Sequence, residues 1–178
     1  MKGIIFREFI NMVEVRFGDK VADTIITQAH LTNNGAFTSV GTYHHRDLVQ
    51  LLTQLSKATN IAPPHLLQEF GKYVFQVFLK RYPHMFNGIK DGFTFLSLTE
   101  NTIHTEVLKL YPEAELPSID VVRDKHALKL LYHSRRQLPD FAEGLIIGCM
   151  NHFEEAVLID KQMIESDGSK VLFILTRK

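Results

Sequence analysis

In separate segments between Ile5 and Tyr111 apolar residues recur at steps of three and four, and around the prolines at 112 and 117 the repeat shortens to two. That change of period limits the fold more than any other feature. Helical spacing comes first, then two strand-like runs, one more helix and two last strands. No strand–helix–strand alternation is present to build a parallel sheet. The order predicts an α+β chain with a helical N-terminal half, and a small antiparallel sheet with one helix in the C-terminal half.

Ile5, Phe9, Met12, Val13 and Phe17 mark a first helix that Gly18 is placed to end. A short helix is expected from about Lys20 to His30, followed by a turn at Thr32 to Gly35 and a loop over Phe37 to Val40. Leu48, Leu51, Leu52 and Leu55 define a helix from His45 to near Asn60, and Pro63 and Pro64 open the next. That helix is apolar around a wide arc, from Leu66 through Phe70, Val74, Phe75 and Phe78 to Tyr82, as central helices are. A further helix is read over Phe93 to Tyr111. The period of two gives strands at Ile119–Arg123 and Ala127–His133, joined at Asp124 and Lys125. Leu138 to Phe153 returns to helical spacing. Glu155 to Glu165 and Lys170 to Thr176 flank an Asp167-Gly168 hairpin signal.

Charge and cysteine content narrow the function. Lys plus Arg equals Asp plus Glu, for a formal net charge of +0, so no overall field draws nucleic acid or an anionic membrane to the chain. One cysteine, Cys149, closes no internal disulfide and builds no Cys-rich metal site. Glu8 and Glu14 interrupt the apolar N-terminus before a signal core or membrane span forms. The expectation is a single cytoplasmic domain over residues 1–178, about the size of one ordinary domain. Thirteen Phe without Trp, and nine His, point to an interior able to hold something besides its own side chains.

No Gly-rich phosphate loop, nucleophile elbow or H-E-x-x-H zinc motif occurs. His44 and His45 would point about 100° apart on a helix, so they read as solvated histidines at a helix start. His104 lies in an apolar helical stripe with Val107, Leu108 and Tyr111, where an imidazole needs a partner. It is either a core histidine bonded to a carbonyl or the one protein ligand of a metal that a cofactor already holds. Strand alternation would put Tyr132, Ser134 and Arg136, in Y-H-S-R-R, on one side, as either a solvated strand end or a clamp of two hydroxyls and a guanidinium for carboxylates.

These features occur together with MKGIIF at the start, the histidine of NTIHTEVLKLYP, the proline of ELPSI, Y-x-S-x-R and the following F-x-E-G-L. In that combination the chain resembles, over essentially its whole length, the haem nitric oxide/oxygen binding (H-NOX) family of bacterial gas sensors, relatives of the haem domain of soluble guanylate cyclase. The resemblance implies a b-type haem between the helical and sheet halves. It makes His104 the axial iron ligand and gives Tyr132, Ser134 and Arg136 the propionates. Pro117 would press on the porphyrin. Ile5, Phe9, Phe78 and Leu145 would line an apolar distal pocket.

In oxygen-binding members a tyrosine nine residues after the motif tyrosine donates a hydrogen bond to the gas, and this chain has Phe141 there. The resemblance therefore implies NO and CO binding without a stable oxygen complex. NO would release His104, the helical half would shift against the sheet half, and a separate histidine kinase or cyclic-di-GMP enzyme would read the change. A haem enzyme would need a distal proton donor, which these apolar side chains do not supply. A redox or haem-occupancy sensor, or a haem-free interaction module, remains the alternative.

Overall fold

The computed structural model describes residues 1–178. Its seven helices are α1 (Gly3–Phe17), α2 (Asp19–Gln28), α3 (His45–Thr59), α4 (Pro63–Arg81), α5 (Gly92–Ser97), α6 (His104–Leu110) and α7 (Pro139–His152). The strands are β1 (Ser118–Arg123), β2 (Ala127–His133), β3 (Val157–Met163) and β4 (Lys170–Arg177), in one antiparallel sheet of order β1-β2-β4-β3. The α+β expectation holds. No helix is long and apolar enough to cross a membrane. The chain divides into two compact units, Met1–Phe70 and Gly71–Lys178, and the division falls within α4.

In the first unit, Gly18 ends α1 with φ of 89°, a conformation that glycine adopts without steric cost. Phe6, Phe9, Met12 and Val13 on α1 are fully buried, as are Leu51 and Leu55 on α3. Phe9 meets Phe70 edge-on with centroids 5.1 Å apart, and Phe6 stacks on Phe37 at 4.4 Å. The start of the chain is fastened to residues 38–43, since Lys2 bridges to Thr42 and the Gly3 amide donates to the Gly41 carbonyl at 2.8 Å. A Cβ on Gly3 would stand 1.9 Å from the Thr38 carbonyl oxygen, so only glycine fits. Gly3→Ala is therefore expected to cost about 1–3 kcal/mol through overpacking, seen as a melting temperature lower by about 2–4 °C for each kcal/mol.

In the second unit, α5 and α7 cover the inner face of the sheet. β2 contributes Leu128, Leu130 and Tyr132 to that core, and β4 contributes Val171, Phe173 and Leu175, as strict alternation requires. Against them lie Phe93, Phe95 and Leu96 of α5 and Ile146, Cys149 and Met150 of α7. Cys149 is buried, and desolvation pushes its thiol far up, the state of an inert packing residue.

Asp91 caps α5 by accepting from the Thr94 amide at 2.9 Å, and takes the Arg177 guanidinium of β4 at 3.2 Å. Burial alone would raise its carboxyl, but the Thr94 hydrogen bonds and the charges of Arg123 and Arg177 more than offset this and hold it below the ordinary range. A depressed carboxyl contributes stability that is present above its unfolded pKa of about 4 and is lost as pH falls through the folded value. Asp91→Ala should cost about 1–2 kcal/mol at pH 7, and progressively less in melts run towards pH 3.

Two elements differ from the sequence reading. The helix expected over Phe93 to Tyr111 is three pieces, because Thr99–Ile103 is a π-helical turn between α5 and α6. There the Ile103 amide reaches back five residues to the Leu98 carbonyl at 3.1 Å. The run Thr99 to Thr102 is polar and of low helix propensity, with no apolar stripe to hold regular winding. The Asp167-Gly168 pair lies inside a longer connection over residues 164–169, where Gly168 has φ of 79°. The adjacent histidines differ in detail as well. His44 is extended and caps α3, its Nδ1 accepting from the Arg46 amide at 3.2 Å, so its ring stacks on His45 rather than diverging from it.

Candidate functional site

His104 opens α6 immediately after the π-helical turn, with its side chain 15% exposed. Its Nδ1 lies 3.2 Å from Glu100 Oε2. Burial lowers the His104 pKa, against the opposing charge of Glu100, so the imidazole is neutral at pH 7. With Nδ1 donating to the carboxylate, Nε2 keeps its lone pair and makes no hydrogen bond, which is the state a metal ligand needs. No group of three or more His, Cys, Asp or Glu side chains could hold a metal ion, so a metal on His104 would arrive with most of its other ligands.

Tyr132, Ser134 and Arg136 are brought together, although not by strand alternation. β2 ends at His133, and the chain then turns, with the Arg136 amide donating to Ser134 Oγ at 3.2 Å and Gln137 at φ of 55°. Tyr132 is 3% exposed, and its hydroxyl accepts from the Leu138 amide at 3.3 Å. Burial raises its pKa, opposed by a hydrogen bond from Ser134, the Leu138 amide and the Arg136 charge. The phenol therefore keeps its proton and has it to donate. Arg136 reaches back to the Glu115 carbonyl at 2.6 Å and to its carboxylate at 3.3 Å. A guanidinium has five N–H groups, so donors remain for a further carboxylate.

Pro117 is half-buried just before β1, in the stretch that Arg136 holds at Glu115. Phe141 and Leu145 are half-buried, one helical turn apart on α7. α4 touches α7 at bare backbone, where a Cβ on Gly71 would lie 2.3 Å from the Phe141 carbonyl oxygen. Phe75 faces Gly148 further along, so the helices run side by side in the same direction. Phe78, half-buried with its ring edge-on to Tyr82, stands about 10 Å along α4 beyond Gly71. In the first unit, Ile5 is half-buried on α1, and Phe9 is fully buried against Phe70. The Tyr43 hydroxyl is committed there to the Thr38 amide at 2.8 Å.

The residue that the sequence reading passed over is Glu100. Its only signal was a carboxylate four positions before the histidine, a spacing common on any helix. Taken together, these side chains fit a haem. A neutral imidazole is free at Nε2, hydroxyl and guanidinium donors suit the propionates, and half-buried apolar side chains suit a porphyrin face.

The comparisons agree. A protein-family model described as haem-NO-binding matches residues 2–161. No curated protein sequence matches significantly. Among solved structures, a mutant of the H-NOX protein from K. algicida, in the Fe(II) unliganded state, is 39% identical with TM-score 0.94, covering 100% of this chain and 97% of its own. The H-NOX from Shewanella woodyi, bound to IWP-051 in the Fe(II)CO state, is 36% identical with TM-score 0.85 and coverage of 100% and 95%. The H-NOX protein from S. oneidensis in the Fe(II)NO state is 25% identical with TM-score 0.91 and coverage of 100% and 99%. With the family model spanning most of the sequence and these structures matching all of it, the chain belongs to the haem-NO-binding, or H-NOX, family of haem-based gas-sensor domains.

Proposed function

We propose that residues 1–178 form one cytoplasmic sensor domain that holds haem b, binds NO and CO but not oxygen stably, and signals to a separate enzyme. By the family resemblance that enzyme is a histidine kinase or a cyclic-di-GMP enzyme. The observation that carries the reading is His104, an imidazole fixed at Nδ1 by Glu100 and open at Nε2. His104 would hold the haem iron, which when bound would supply a site for a diatomic gas.

The rest is done by the chain. Tyr132, Ser134 and Arg136 would hold the propionates, and Pro117 would press against the porphyrin. Phe78, Phe141 and Leu145 exclude water and offer no proton, which disfavours catalysis and favours a ligand needing no donor. Were NO binding to release His104, the freed ring and its helix would give a two-state element for a partner to read.

The test is the visible spectrum of the reduced, haem-loaded protein in air and then under NO. Air should leave the histidine-ligated ferrous spectrum unchanged, and NO should abolish the histidine-ligated form. A lasting oxygen spectrum would overturn the selectivity, and absence of haem absorbance after reconstitution would overturn the cofactor assignment.

A further inference from the structure

The carboxylate beside His104 has a second partner. Glu100 Oε2 accepts from His104 Nδ1 at 3.2 Å and from the backbone amide of Ile119 at 3.0 Å. Ile119 is the second residue of the edge strand β1 and stands opposite Tyr132 in the sheet register. Its amide points off the edge of the sheet, where no strand could satisfy it. Two residues before it is Pro117, and two residues before that is Glu115, whose carbonyl takes the Arg136 guanidinium at 2.6 Å. The stretch bearing Pro117 is thus fastened at both ends by side chains, by Arg136 at Glu115 and by Glu100 at Ile119.

We propose that Glu100 is the positioning residue of His104 and, through the same oxygen, the tether that couples His104 to the Pro117 segment and β1. The inference rests on the reading of His104 as the iron ligand. A carboxylate on Nδ1 fixes the tautomer and turns the ring, leaving Nε2 to the metal, and it makes that nitrogen a stronger donor than a carbonyl partner would. Because one oxygen serves both donors, a movement of the His104 ring cannot leave Ile119 undisturbed. Any displacement of the His104 ring would therefore be felt at the start of β1 and at Pro117, and the π-helical turn that holds Glu100 is the short wide segment able to give way between them.

Two variants separate the parts of the claim. Glu100→Gln keeps an oxygen for the Ile119 amide but removes the charge from Nδ1, whereas Glu100→Ala removes both. In the ferrous haem-loaded protein, resonance Raman should show the iron–histidine stretch at lower frequency in Glu100→Gln, and lower again in Glu100→Ala. In the haem-free protein, hydrogen exchange at the Ile119 amide should quicken by about tenfold in Glu100→Ala and stay near the parent value in Glu100→Gln. Amides of β3 and β4 serve as the control for folding in both variants. Stretching frequencies equal to the parent's in both variants, or unchanged Ile119 exchange in Glu100→Ala, would overturn the proposal. An iron–histidine stretch that survives in His104→Gly would instead overturn the ligand assignment itself, and the positioning role with it.

Discussion

Phe141→Tyr is expected to give a protein that holds oxygen, where the proposed reading has the parent form no stable oxygen complex. Dioxygen gathers negative charge on ferrous iron and is retained when a donor meets that charge, whereas NO gathers little and needs none. Phe141 is half-buried on α7, one turn before Leu145, and Phe78, Phe141 and Leu145 are all hydrocarbon. A single phenolic hydroxyl would then be the first donor among them. A hydrogen bond to a charged acceptor is worth about 1.5–3 kcal/mol, which predicts oxygen loss slower by roughly 10- to 150-fold. The measurement is the visible spectrum of the reduced variant after mixing with air, followed over minutes. A variant that stays in the unliganded ferrous form, as is expected of the parent, would show that residue 141 does not set the preference. NO binding should be nearly unchanged, which separates a specific donor effect from a general loss of the pocket.

The helical half was legible because its boundaries are local chemistry. Gly18 at φ of 89° and Asn60 at φ of 57° end α1 and α3, and prolines open α4 and α7. The strands were legible from alternation, since Leu128, Leu130 and Tyr132 all face the core. What the sequence could not carry depends on contacts between distant segments. β4 inserts beside β2, an order that no local pattern encodes. The π-helical turn before His104 arises where packing, rather than periodicity, decides the winding.

The candidate site divides in the same way. Residue types named the clamp, yet alternation is not what gathers it. The turn after His133, with Gln137 in a left-handed conformation, brings Ser134 and Arg136 back towards Tyr132. Glu100 stayed hidden because its meaning comes from Ile119, nineteen residues further along the chain.

His104→Gly should have the other large effect, and its contrast with Arg136→Ala separates the two ways in which the proposed site would hold haem. Glycine at 104 removes the one imidazole with a free nitrogen in the second unit's candidate site, and no Cys, Asp or Glu cluster stands by to replace it. The histidine-ligated ferrous spectrum is therefore expected to vanish, even where apolar burial and the propionate clamp still retain some haem. Arg136→Ala leaves that spectrum intact and instead weakens retention, because it removes charge-assisted hydrogen bonds worth about 1.5–3 kcal/mol. Transfer of haem to an excess of an apoprotein acceptor should then run about 10- to 150-fold faster than in the parent. Arg136→Ala also frees the Glu115 carbonyl, so the Pro117 segment loses one of its two anchors while His104 and Glu100 keep theirs. If Arg136→Ala changed the ligation spectrum and His104→Gly did not, the roles of the two residues would be reversed, and the site would have to be read as a carboxylate pocket with the histidine merely packed beside it.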